Sequence, residues 1–185
     1  MQPVTGLAFW RRRRPERAGF LLYGCAVAAA RDPIFYTELA VPDTLDGRFD
    51  LIGLHVSLLI RRLRHDQEPG PALAQAVFDA MFADMDINLR ELGVGDLSVG
   101  KKVRAMWEAF HGRARAYETA LDAGDITALE AALARNVWRG APAPGAARLA
   151  SLARACEAAL ERQSLAALAA GSATFPTPNA TQSPA

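Results

Sequence analysis

The apolar residues of this chain recur at the period of a helix and show no strand-like alternation outside its turns and tails. Phe78, Met81, Phe82, Met85, Leu89 and Leu92 fall three or four positions apart, which lines them along one side of an α-helix. Phe49, Ile52, Val56 and Leu59 form a second such stripe, broadened by Leu45 and Leu63. Val103, Met106, Trp107, Phe110, Tyr117 and Leu121 mark a third. Faces patterned this way must be buried against one another. The expected fold is all-α, a single irregular domain of about seven helices around one core. A chain of 185 residues can build that core without disulfide or metal staples.

Start and stop signals divide the pattern. Pro15 with Glu16 suits the first turn of a helix reaching Arg31. Asp32-Pro33 restarts a short helix with Phe35, Tyr36 and Leu39, which Pro42 ends. Asp43 or Thr44 caps a long helix to about His65, with Arg61, Arg62 and Arg64 at its negative end. A loop at 68–71 precedes a helix over 72–92, and Gly93 stops it. Asp96 or Ser98 begins the next helix, which reaches Ala123. Asp125 caps another, with Leu129, Leu133, Val137 and Trp138 on it. The Pro- and Gly-rich stretch 140–145 is a linker, and Leu149, Leu152, Cys156 and Leu160 line a last helix over 146–170. The expected organisation is a flexible basic leader (1–14), a helical domain (15–170) and a disordered tail (171–185). Gly, Ser, Thr, Pro and Asn in that tail leave little to bury. Both ends are expected to be dispensable for folding.

Charge excludes some partners. With 21 basic and 20 acidic residues the chain has no global field, so no specific nucleic-acid partner is expected. Cys25 and Cys156 stand far apart in apolar helical stretches and read as buried hydrophobes of a reducing compartment. No stretch approaches the roughly 20 apolar residues of a membrane span. The order of Arg11, Arg12, Arg13 and Arg14 before the apolar run to Leu22-Tyr-Gly-Cys25 imitates a secretory signal. That run is short, and its pattern continues past the cysteine. The expectation is a folded helix with Cys25 buried, neither processed nor exported.

Several motifs imitate chemistry. Asp84, Asp86 and Asn88 alternate like calcium ligands, but Leu89 stands where the turn needs glycine, and Gly95 where the closing glutamate belongs. They are expected on a helix, pointing apart. His55, His65 and His111 lack helical ligand spacing, and no serine sits in a nucleophile elbow. The glycines at 93, 95 and 100 lack the spacing and preceding strand of a phosphate loop. No catalytic residue, metal or cofactor is expected. The alternative is a small helical ligand-binding protein or enzyme with a site near His55, Asp84, Asp86 and His111.

Two surfaces could bind partners. Phe78, Met81, Phe82, Met85, Met106, Trp107 and Phe110 are core by spacing. Two adjacent helices so rich in Met and Phe could also line a groove for an apolar client. The sequence leaves core and groove undivided. Lys101, Lys102 and Arg104, with Arg113 and Arg115 further on, could form a positive patch. With Arg11, Arg12, Arg13 and Arg14 it would suit anionic membrane or synthesis machinery, against the plainer reading of a solvated face.

Separated motifs in order carry a resemblance. Leu22-Tyr-Gly, Asp43-Thr-Leu-Asp-Gly-Arg-Phe-Asp50, Leu54-His-Val56, Phe82-Ala-Asp-Met-Asp86, Asn88-Leu-Arg-Glu91 and Gly93-Val-Gly-Asp96 resemble the ubiquinol–cytochrome c chaperone family over about residues 15–140. The resemblance implies a helical, non-enzymatic assembly factor that holds newly made cytochrome b for respiratory complex III. Without a recognisable mitochondrial leader, the chain looks like a bacterial member, cytoplasmic and peripheral on the inner face of the plasma membrane. The resemblance leaves open the client segment, any second subunit and heme sensing.

Overall fold

In a computed structural model the backbone is described for residues 6–178 and side chains for 15–178. Eight helices follow one another, with no strand among the described residues. They are α1 (Gly6–Ala30), α2 (Ile34–Thr37), α3 (Leu45–Arg64), α4 (Gly70–Glu91), α5 (Asp96–Asp122), α6 (Ile126–Val137), α7 (Ala146–Glu161) and α8 (Leu165–Ala169). The all-α expectation holds. The last helix is split, because the Ser164 hydroxyl accepts from Ala167 N and starts α8 anew.

Helix α3 is the axis of the domain. α1, α4, α5, α6 and α7 all pack on it, and residues 54–59 are buried without a break. A helix apolar on one side could not be covered on every side. α3 manages it by placing His55 and Ser57 inside, each bonded to a carbonyl one turn back, Leu51 O at 2.8 Å and Leu54 O at 2.7 Å. Its start is capped as expected, Thr44 Oγ1 accepting from Gly47 N at 3.1 Å. The Asp125 carboxylate likewise caps α6.

α1 lies along α4 and α3. At their crossing a side chain on Gly19 would meet the Ala76 backbone at 2.6 Å, so only glycine permits this approach. Higher on the pair, Tyr23 donates to Asp84 Oδ2 at 2.6 Å. The helix starts at Gly6 rather than at Pro15, which sits inside it and removes one intrahelical bond. The backbone of most of the supposed leader is therefore helical. By length and composition Pro15–Thr37 could cross a membrane, against the expectation that no stretch approaches that size. Ala18, Leu22, Tyr23, Ala26 and Ala30 use its apolar character to enter the core, and the helix ends at Ala30. Cys25, expected to be buried, is half-buried, its thiol 3.9 Å from the Gly171 carbonyl.

A polar knot ties the far side. The Asp50 carboxylate is fully buried and bonded to Arg113 of α5 and, at 3.1 Å, to Arg139 beyond α6. Arg139 also reaches Asp46 at 2.6 Å. To do so it adopts a left-handed φ of 52°, strain that the ion pairs offset. Burial raises the Asp50 pKa to about 6 against the pull of both guanidiniums, so at neutral pH it is a carboxylate between two cations.

The tail expected to be disordered from Gly171 is ordered through Pro178. Gln163 grips the Thr174 backbone with both amide atoms, donating to its carbonyl at 2.8 Å and accepting from its N–H at 2.9 Å. Phe175 then packs edge-on to the buried ring of His55 at 5.4 Å. One aromatic ring and one clamping amide, with Ala173 also on the core, hold a segment whose composition alone looks disordered. Residues 179–185 lie outside the described residues, as do 1–5.

Candidate functional site: an aromatic cluster on the α4–α5 arm

The end of α4 beyond Met85 and the part of α5 before Phe110 bury only Val99 between them. After Met85 no residue of α4 is buried, and on α5 none is buried between Val99 and Phe110. The apolar periodicity does not stop there. Leu92, expected on the buried face, is 58% exposed. Leu97, on the first turn of α5, is fully exposed, and Ile87 is also exposed. Arg90 closes the tip, pairing with Asp86 at 2.6 Å and with Asp96 across the turn.

Where the arm leaves the core, aromatic rings gather between the two helices. Phe78 lies 4.7 Å from Phe82, 5.9 Å from Phe110 and 5.4 Å from His111. Trp107 stands edge-on to His111 at 4.1 Å. Edge-on and tilted rings at these distances suit their quadrupoles and hold the group together. The set that sequence left undivided is thus divided. Met81, Met85 and Phe110 are core, Phe78, Phe82 and Met106 are half-buried, and Trp107 is 45% exposed. His111 belongs to the cluster as an aromatic ring. Sequence reasoning missed the exposure of Ile87, Leu92 and Leu97, because a helical stripe has the same period whether or not it is covered.

The alternative site is not assembled. His55 is sealed by Phe35 and Phe175, and burial lowers its pKa, leaving it neutral and donating from Nδ1 to Leu51 O. His111 is on the arm, and no partner is shared between the two. Asp84 accepts from Tyr23, Asp86 pairs with Arg90, and Asn88 bonds to the Asp84 carbonyl at 2.8 Å. The calcium-like residues are on a helix with separate partners. Among the described residues no three His, Cys, Asp or Glu side chains are grouped as a metal would need. A cavity of 420 Å³ at the C-terminal end of α3, lined by residues of α3, α5 and α7, is polar. Its arginines are already engaged, Arg61 by Asp122 and Glu157, Arg62 by Asp66 and the Leu160 and Gln163 carbonyls.

The basic patch is smaller than its sequence suggests. Lys101 and Lys102 are exposed on α5, but Arg104 pairs with Glu108 at 3.1 Å, and Arg113 turns inward to Asp50. The side chains of Arg11, Arg12, Arg13 and Arg14 lie outside the described residues.

Fold and site together define a helical domain with a partly exposed aromatic cluster and exposed apolar side chains where α4 meets α5. The chain belongs to the ubiquinol–cytochrome C chaperone family, whose model matches residues 37–175. That span extends past the stretch over which sequence motifs carried the resemblance, and it ends on Phe175. A Xenopus laevis protein described as ubiquinol-cytochrome-c reductase complex assembly factor 1 is 24% identical over 133 residues, covering 72% of this chain. The match spans 66% of that relative's length. The crystal structure of the Cbp3 homolog from Brucella abortus is 38% identical, with a TM-score of 0.82 over 95% of this chain and 98% of that one.

Proposed function

We propose that this chain is an assembly chaperone of ubiquinol–cytochrome c reductase that holds newly made cytochrome b, and that it works by binding rather than by catalysis. The observation that carries the reading is the partly exposed cluster of Phe78, Phe82, Met106 and Trp107, on an arm with Ile87, Leu92 and Leu97 in solvent. Large apolar side chains left exposed along two helices suit an apolar partner helix laid between them. Aromatic anchors give such a site contact area at low entropic cost, and methionine adapts to varied partners. An unassembled membrane subunit exposes surfaces that its later neighbours will cover. A site that binds those surfaces only in the unassembled state would release the client when the neighbours arrive.

A strain lacking this protein tests the reading. It should lose b-type heme absorbance and quinol–cytochrome c activity, with other respiratory complexes largely spared. Trp107→Glu should fail to restore them while melting like the natural protein. Normal cytochrome b and normal activity in a deletion strain with no second copy would sink the proposal.

A further inference from the structure

Helix α1 divides the charge of the molecule. Through Arg31 the chain has six arginines and one glutamate, a balance of +5. The remaining residues have 15 basic and 19 acidic side chains, a balance of −4. The near-zero total therefore hides a dipole with its positive end on one helix. The same helix leaves one face uncovered. Ala18, Leu22, Tyr23, Ala26 and Ala30 are buried in the core, while Arg17, Phe20, Gly24, Ala28 and Arg31 share an exposed stripe. Phe20 is 64% exposed, and a side chain on Gly24 would meet nothing within 4 Å. Neither Arg17 nor Arg31 makes an ion pair among the described residues. Leu21, 45% exposed, edges this stripe on the side approached by Gly171 of the C-terminal segment.

We infer that the outer face of α1 docks on an anionic lipid surface, with Phe20 entering the interface and the arginines on the headgroups. Charge complementarity selects this occupant. A protein interface is anchored by several packed apolar side chains. This face offers the Phe20 ring, with Leu21 at its edge, among small residues, flanked by Arg17 and Arg31 without ion pairs and by one acid, Glu16. That is the make-up of a helix lying in a membrane interface, where a little apolar area is supplemented by attraction of each basic side chain to anionic lipid. α1 continues as one helix through Arg11–Arg14, one turn before Arg17, which brings the basic cluster to the same element. The buried face fixes α1 to α3 and α4, so docking would orient the whole domain rather than a loose tail. The inference does not depend on which client the α4–α5 cluster holds.

The test is sedimentation of the full chain with vesicles of phosphatidylcholine alone and of phosphatidylcholine with phosphatidylglycerol. Binding should need phosphatidylglycerol and weaken as salt is raised. Replacing Arg11, Arg12, Arg13 and Arg14 together by Gln should weaken it by about tenfold or more. Phe20→Ser should weaken it severalfold without lowering the melting temperature. Leu97→Ser, on the opposite arm, should leave it unchanged. Equal binding to both vesicle types, or no loss in either α1 variant, would overturn the proposal. Loss in the arginine variant with none in Phe20→Ser would remove this face from it. Abolition by Leu97→Ser would move the docking surface to the arm. Absence of vesicle binding, with Phe20→Ser splitting a dimer in light scattering, would assign the face to a second copy of the chain.

Discussion

Helix α3 and the α4–α5 arm use similar residues to opposite ends. On α3, residues 54–59 are buried in succession, polar side chains included. On the arm, residues 86–98 contain no buried position, although Ile87, Leu92 and Leu97 are among them. The difference is in what surrounds each helix. Five helices cover α3, whereas the residues between Met85 and Val99, where α4 passes into α5, are left without cover. Apolar residues in the first setting stabilise the fold. In the second they remain in contact with solvent. The comparison teaches that periodicity reports which side of a helix is apolar, and neighbours decide whether that side is core.

The largest expected effect tests the α3 half. Leu59 is fully buried on α3. Leu59→Ala should cost about 2–5 kcal/mol in chemical denaturation, through lost transfer energy and a cavity. Leu97→Ala on the arm should stay within about 0.5 kcal/mol of the natural protein. Comparable losses at the two positions would show that the arm is packed in solution and break the contrast.

The C-terminal strap should come next. Phe175 is half-buried against His55, and the strap closes the core over α3. Phe175→Ala should cost about 2 kcal/mol, somewhat below the range for a fully buried ring. Removal of residues 171–185 should cost at least as much. An unchanged melting temperature after that truncation would return the segment to the dispensable tail its composition suggests.

Much of the fold could be read in the sequence because local chemistry dictates it. Thr44 and Asp125 cap where a polar side chain precedes an apolar stripe, and Gly93 stops α4 with a φ of 79°. The strap was illegible for the opposite reason. Its order comes from Gln163 and His55, which are distant in sequence or on another helix, and one phenylalanine gives no periodicity. The Asp50 knot was hidden likewise, since nothing near Arg113 in the sequence shows that it turns inward. At the cluster, residue types were legible and their exposure was not. The helical stripe persists unchanged from Phe78 through Leu92 while its covering ends at Met85.

A pH experiment sharpens the contrast within the core. His55 faces the rings of Phe35 and Phe175 and the Leu51 carbonyl, and burial holds its pKa below the ordinary 6.5. Above that value the ring is neutral in both folded and unfolded chains. As pH falls below it, the unfolded chain takes up a proton that the folded chain resists, so stability is lost. Asp50 acts in the opposite sense. Its raised pKa, about 6 against 3.8, means the folded chain accepts a proton first, which adds stability as pH falls through that window. Denaturation midpoints of the natural protein and His55→Leu should therefore converge, or cross in favour of the variant, on going from pH 7.5 to pH 5. A constant gap across that range would mean that water already reaches the ring.

The effect on stability should also be small at Trp107, where the effect on binding should be greatest. The ring is 45% exposed and touches His111, itself exposed on the same helix. Trp107→Ala removes a surface stack and no core contact, so a loss of about 0.5–1.5 kcal/mol is the most that ring packing suggests. A client helix on the cluster would cover that ring completely, and truncating a covered aromatic anchor commonly costs about 2 kcal/mol or more of binding. Thermal melting and client capture measured on one preparation separate the two quantities. A variant that melts normally and captures nothing supports the arm as working surface. A variant that melts several kcal/mol lower would place Trp107 with the α3 core and remove the distinction between the two regions at its most exposed ring.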